Sequence, residues 1–235
     1  MRTIAITSFH PLISRNILAT SFLQELTRDL EVRILLLVPE YKRAFFEREF
    51  GGPRIEIYGI DFRPSAADVL MLDLALAALD TRSMAIRRYW EFLGRRNHLG
   101  FAVKTAFAWL MAGQAWAARL VRWLDAKIGS RGEFLRVLRE RRPDLVFSTD
   151  IQHETDLACL HAARDLGIAS VGMTRSWDNP TAKGLIRFMP DVAVVQNELI
   201  RDELIRLHHI PAGAIRVTGV PHYDRYPHSS LRTPR

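Results

Sequence analysis

Two rhythms of apolar residues run along this chain. Short β-branched runs over residues 4–9, 32–38 and 54–60, and again over 145–148, 169–173, 192–196 and 215–218, read as strands. Between them the apolar positions recur with helical spacing over 14–30, 41–50, 154–166 and 199–207, and Gly51, Gly52 and Pro53 stop the second of these helices. Runs such as ILLLV and DVAVV are apolar at consecutive positions, which suits strands covered on both faces in a parallel sheet. Strand and helix in alternation predict an α/β fold, a Rossmann-like doubly wound parallel sheet.

Between residues 65 and 142 the alternation gives way to helical composition almost throughout. This predicts a large helical insertion, or an elaborated crossover, within a lobe running from 1 to 225. Residues 226–235 are expected to be a disordered tail or a truncated interlobe linker. Residues 101–124 read as one helix. Trp109, Trp116 and Trp123 stand seven apart in it, so at 100° per residue the indoles share one edge, with Lys104, Arg119 and Arg122 beside them. Only fourteen uncharged residues separate Lys104 from Arg119, against the roughly twenty that span a bilayer. Two readings stay open: Trp109, Trp116, Arg119, Arg122 and Trp123 face a membrane interface, or the helix packs its indoles into the domain and leaves its arginines in water.

Composition sharpens this division. The chain has 235 residues, 48% of them apolar, enough to fill the core of one large domain. Its net charge of +7 is not spread evenly: residues 82–142 hold 14 Lys or Arg and 4 Asp or Glu, a net of +10, and the remainder is slightly acidic at −3. Nucleic acid is therefore not an expected partner. The single cysteine, Cys159, excludes a disulfide framework and sits where a buried helix position is expected. The first residues lack the pattern of a secretory leader, so a cytoplasmic location is expected, with attachment to the inner face of the cytoplasmic membrane if the basic helix meets lipid.

Ligands of open parallel sheets bind at the carboxyl ends of the strands. After the first strand, SFHPLISRN supplies His10, Ser14, Arg15 and Asn16, without the glycines of a dinucleotide or P-loop motif. Ser14 beside Arg15 could hold an anion at the helix start, or Ser14 could simply cap it. After the fourth strand, STDIQHE brings Ser148, Thr149, Asp150 and His153 to the same edge; Asp150 and His153 are a carboxylate and an imidazole suited to act as base and orienting partner, unless Asp150 only caps the next helix. The loop GMTRSWDNPTAKG packs Arg175, Ser176, Trp177, Asp178, Asn179, Thr181 and Lys183 together, side chains suited to phosphate, sugar hydroxyls and the apolar face of a pyranose. No histidine spacing spells a metal site, and His208 and His209 at a helix end are expected to complement its dipole as cations.

The loop SWDNPTAKG and the segment DVAVVQNELIRDELIRLHHIPAGAIRVTGVPHYDRY together resemble the N-terminal half of GT-B-fold glycosyltransferases and their relatives, the CDP-glycerol glycerophosphotransferases and non-hydrolysing UDP-sugar 2-epimerases. The similarity is greatest to surface-polysaccharide glycosyltransferase-like proteins. The resemblance implies a two-lobed enzyme whose first lobe binds a glycan or glycolipid acceptor and whose second binds a nucleotide-activated sugar. With eleven residues after Asp224, the chain is expected to be the first lobe alone, binding no cofactor itself and needing a donor-binding lobe from elsewhere. His10, Asp150 or His153 would then serve as base. Ser14, Arg15, Asn16, Arg175, Ser176, Trp177, Asp178, Asn179 and Lys183 would contact substrate. The alternatives are a non-catalytic binding or membrane-docking module, and a relative of the UDP-sugar 2-epimerases.

Overall fold

The computed structural model describes residues 2–224, so the expected tail over 226–235 lies outside the described residues. Seven parallel strands form one sheet: β1 (Arg2–Thr7), β2 (Val32–Pro39), β3 (Ile55–Ile60), β4 (Leu145–Ser148), β5 (Ala169–Met173), β6 (Val192–Val195) and β7 (Ile215–Val217). Their order is β3-β2-β1-β4-β5-β6-β7. The doubly wound sheet read from the sequence is thus present, and its direction of winding reverses between β1 and β4.

Period-two alternation sorts each strand between two cores. Ala5, Leu35, Leu37 and Val146 point to one side, under helices α8 (Phe134–Arg141), α9 (Glu154–Asp165) and α10 (Glu198–His208). Ile6, Ile34, Leu36 and Val38 point to the other. There they meet α1 (Pro11–Ile13), the π-turn Ser14–Leu18, α2 (Ser21–Arg28) and α3 (Arg43–Phe50). Because both faces are covered, consecutive residues Leu35 to Val38 are all buried, and each such side chain contributes about 1.5–3 kcal/mol.

The helix expected over 14–30 is broken. Ala19 N donates to Ser14 O at 2.8 Å, closing a π-turn, and Thr20 restarts the helix as cap of α2, accepting from Phe22 N at 3.2 Å.

The helical excursion comprises α4 (Ala66–Ala78), α5 (Arg82–Arg95), α6 (His98–Met111) and α7 (Ala115–Ile128). It leaves and returns at one point. Ser65 and Asp68 form a capping box at the start of α4, Asp68 Oδ1 accepts from Ser130 N at 2.8 Å, and Ser130 Oγ donates to Ser65 Oγ at 3.1 Å. The segment expected over 65–142 therefore divides at Ser130. Phe134, Val137 and Leu138 of α8 are fully buried against the sheet, so α8 is the covering helix of the β3-to-β4 crossover.

The single helix expected over 101–124 is two helices. Gly113 adopts φ +73°, a conformation that favours glycine, and its N–H donates to Ala78 O at 3.1 Å, so the chain turns between α6 and α7. Trp109 is consequently on a different helix from Trp116 and Trp123. A buried ionic cluster ties the excursion to the sheet lobe: Asp125 of α7 meets His161 Nε2 at 2.8 Å and Arg187 Nη1 at 2.9 Å, and Arg187 also bonds Glu154. Cys159 is fully buried on α9, and burial pushes its thiol pKa up.

Candidate functional site

The ends of β1 and β4 are hydrogen-bonded where the winding reverses. Thr149 N donates to Thr7 Oγ1 at 3.0 Å, and Thr149 Oγ1 donates to the Thr7 carbonyl at 2.8 Å. Asp156, in the first turn of α9, is buried and accepts from Thr7 Oγ1 and, at 3.2 Å, from Ser148 Oγ. These bonds pin the start of α9 to both strands.

His153 is the N-cap residue of α9. One helical turn brings its Nδ1 to 3.4 Å from Asp156 Oδ2, which leaves Nε2 available to a ligand. Burial opposes the imidazolium, but Asp156, with Asp150 behind it, outweighs burial and raises the His153 pKa above its ordinary value.

Asp150 turns the other way, towards the loop after β5. Arg175 Nη1 donates to its Oδ2 at 2.5 Å, Asn179 Nδ2 approaches Oδ1 at 3.5 Å, and Gln152 N donates to Oδ1 at 3.2 Å. Burial, followed by repulsion from Asp156, still pushes the Asp150 pKa up to about 6 against the pull of Arg175. Asp150 and His153, read from the sequence as a couple, thus take different partners.

His10 caps α1, its Nδ1 accepting from Leu12 N at 3.2 Å. A neutral ring with Nδ1 engaged as acceptor carries its proton on Nε2, so His10 presents a donor rather than a base. Burial, then the positive field of Arg175, His153 and Lys183, holds its pKa below the ordinary value.

Among the described residues, six buried side-chain polar atoms lack a hydrogen-bond partner; one is His153 Nδ1, whose contact with Asp156 is ionic at 3.4 Å, and four others belong to this crevice, Ser8 Oγ, Gln152 Oε1, Arg175 Nε and Asn179 Oδ1. Buried polar groups are rarely left so, and their concentration marks the place where a polar ligand would supply the missing bonds. Beside it, a hollow of about 430 Å³ opens over the ends of β1 to β3. Phe9, Tyr41 and Phe62 line it with Glu40 and Asp61, and His153 forms part of its wall.

The loop after β5 is fixed from four directions. His208 Nε2 reaches Pro180 O at 2.8 Å, Thr81 Oγ1 donates to Thr181 O at 2.8 Å, Gln152 Nε2 donates to Gly184 O at 2.7 Å, and Leu185 N donates to Ala75 O at 2.9 Å. Of its predicted contact residues, Asn179 is buried, Trp177 and Lys183 are exposed, and Ser176 and Asp178 lie between. His208 is not the expected cation. Burial lowers its pKa to about 3, and its Nδ1 accepts from Ile186 N at 3.0 Å, so it is a neutral crosslink.

Ser14 lies inside the π-turn and does not cap the first helix, since His10 occupies that place. Arg15 Nε donates to Asn16 Oδ1 at 3.0 Å on the surface, and among the described residues none of Ser14, Arg15 and Asn16 shares a hydrogen bond with the Asp150 group. In the excursion, Trp109, Trp116, Arg119 and Trp123 are exposed. Arg122 is not membrane-facing: its guanidinium donates to Ile186 O at 3.0 Å and to His208 O, and burial lowers its pKa to about 10. Sequence reasoning passed over Asp156 and Thr7. The signal for Asp156 was present, three residues after His153 in HETD. Among the described residues no cluster of three or more His, Cys, Asp or Glu is placed to hold a metal ion.

No known protein family and no curated protein matches the sequence. Solved structures do. MurG from Acinetobacter baumannii aligns with 10% identity and a TM-score of 0.43 over 100% of this chain and 50% of its own. A glycosyltransferase from Rickettsia africae ESF-5 aligns with 8% identity and a TM-score of 0.44 over 93% of this chain and 42% of its own. The lipopolysaccharide outer core galactosyltransferase WaaB, in its apo form, aligns with 10% identity and a TM-score of 0.38 over 92% and 45%. Each alignment takes in nearly all of this chain, which spans about half the length of each of these structures.

Proposed function

We propose that this chain is the acceptor-side lobe of a glycosyltransferase that builds a cell-envelope polysaccharide or glycolipid. One arrangement carries the reading: the His153–Asp156 pair in the wall of an aromatic and acidic hollow, beside a crevice with four unpartnered polar atoms. Aromatic faces and carboxylates are the groups that hold a sugar and its hydroxyls. His153 Nε2 takes the proton of the acceptor hydroxyl while Asp156 fixes the ring and stabilises the imidazolium. The acceptor oxygen then bonds to the anomeric carbon as the bond from that carbon to the nucleoside diphosphate breaks. His10, with its proton on Nε2, donates to the acceptor or to a phosphate oxygen, and Lys183 adds positive charge at the rim. The nucleotide-activated sugar belongs to a second lobe, either continuous with this one or on another polypeptide.

The test is a transfer assay with the polypeptide that joins this lobe to a donor-binding lobe, using nucleotide sugars and a glycolipid acceptor with product detected by mass. Labelled product that vanishes in His153→Ala and Asp156→Asn is expected. Conversion of a UDP-sugar to its 2-epimer without acceptor, or transfer indifferent to both variants, would sink the proposal.

A further inference from the structure

The helical excursion carries a surface that the crevice does not explain. Fifteen of the twenty-three exposed large apolar side chains among the described residues fall between residues 66 and 128. Leu99 is 77% exposed, Trp109 86% and Trp90 67%, and Leu93, Val103 and Leu110 are exposed with them. A soluble surface seldom leaves so much apolar area uncovered. The rings of Phe92 and Phe101, 4.8 Å apart, hold α5 against α6, so these helices are packed together and still present their indoles outward.

Charge decides what covers the surface. Over α5 and α6, from Arg82 to Met111, there are six Lys or Arg and one Asp or Glu. Two copies of such a face would repel each other, whereas an anionic bilayer attracts it. No helix among the described residues is long and apolar enough to cross a membrane, so the surface would lie along one. Between α4, α5 and α6 a cleft of about 270 Å³ is walled by Leu74, Met84, Val103 and Phe107 and edged by Arg87 and Arg88. Lys104 and Glu91, also on its edge, pair at 2.8 Å. Arg88 Nη1 is the sixth unpartnered buried polar atom, and it lies in this region rather than in the crevice. An apolar cleft ending in an unpaired guanidinium nitrogen has the chemistry of a phospholipid: a phosphate for Arg88 and acyl carbon for the walls.

We propose that the α5–α6 face docks on an anionic bilayer, with Trp90 and Trp109 at headgroup level and the phosphate of one lipid drawn to Arg88. This holds whether or not the crevice transfers sugar, because no crevice residue takes part.

Cosedimentation of the full chain with vesicles tests it. Phosphatidylcholine mixed with phosphatidylglycerol is expected to bind it at least tenfold better than phosphatidylcholine alone, and brominated lipid is expected to quench the indole emission. Trp90→Ser with Trp109→Ser, both on the surface, should lose binding tenfold or more at an unchanged Tm. Arg82→Ala, an exposed change on the same helix, should weaken binding by no more than about fivefold, the effect of one charge near the surface, and Arg88→Ala by clearly more. Equal binding to both vesicle types, absence of quenching, or equal effects of Arg82→Ala and Arg88→Ala overturn the proposal. A concentration-dependent dimer that Trp109→Ser abolishes, with no vesicle binding, also overturns it and assigns the face to a second copy.

Discussion

At the scale of residues, the environment of a carboxylate decides its role. Asp150 and Asp156 sit within a few residues of each other, yet one is committed to Arg175 and the other to His153. The sequence showed both the histidine and the acid, but not which acid faces it. Asp156 faces it because N-cap and first-turn side chains share a side of the helix, while the end of β4 aims Asp150 at the neighbouring loop. In the proposed role His153 must be neutral to take a proton, and its pKa is raised, so the proposed transfer should increase with pH through a midpoint above 6.5. Asp156→Asn removes the main raising influence and leaves burial. Its midpoint should therefore fall, with kcat down roughly a hundredfold or more, as a pH–rate profile would reveal. A merely structural Asp156 would lower the rate without moving the midpoint. His208 makes a second test. Its folded pKa, about 3, lies below the unfolded value near 6.5, so the unfolded chain binds the extra proton first. Its contribution is complete above 6.5 and is lost as pH falls towards 3, with a limiting slope of about 1.4 kcal/mol per pH unit. Denaturant melts across that window should show the slope, and His208→Gln should flatten it.

At the scale of elements, the loop that carries Arg175 to Lys183 depends on the excursion for its shape. Gly184 adopts φ +84°, and a Cβ there would stand 3.1 Å from the backbone of Ala75 and Leu76. Gly184→Ala should cost about 1–3 kcal/mol in thermal or denaturant unfolding and raise KM for the acceptor, because the loop must lift off α4. The strands were legible because a sheet covered on both faces needs unbroken apolar runs, and β2 is such a run. The helix breaks were not. Apolar periodicity continues through Thr20 and through Gly113, and the turn at Gly113 is fixed by a bond to Ala78 O, thirty-five residues back, which no local pattern encodes. The same limit explains Arg122. Its place beside Trp123 reads as surface, and only the packing of α7 against Ile186 and His208 shows that its charge is spent on carbonyls. Within the site, His153, Asp150 and the Arg175 loop were readable as types at strand ends. Thr149 was readable in the same way, but its bond to Thr7 was not, because a threonine at the end of a strand carries no mark of the partner it will meet.

At the scale of the whole molecule, the two sides of the site come from distant parts of the chain. The bond from Thr149 N to Thr7 Oγ1 joins residues 142 apart. Closing a loop of that length costs about 4 kcal/mol of chain entropy before the pairing of β1 with β4 gives anything back. The excursion lowers that cost only slightly by meeting its own start at Ser65 and Ser130, since loop entropy grows with the logarithm of length. Local helices form faster than such a pairing. During refolding, pulse-labelled hydrogen exchange should find amides of α5 to α7 protected before that of Thr149, and ligand binding should return with Thr149. Protection of Thr149 in the first phase would contradict this order. On that order the apolar, cationic helices would be formed before the crevice. A bilayer that captured the helices at that stage would hold the half-folded chain at the surface while the sheet closed, so that docking would precede the site in time as well as serve it in space.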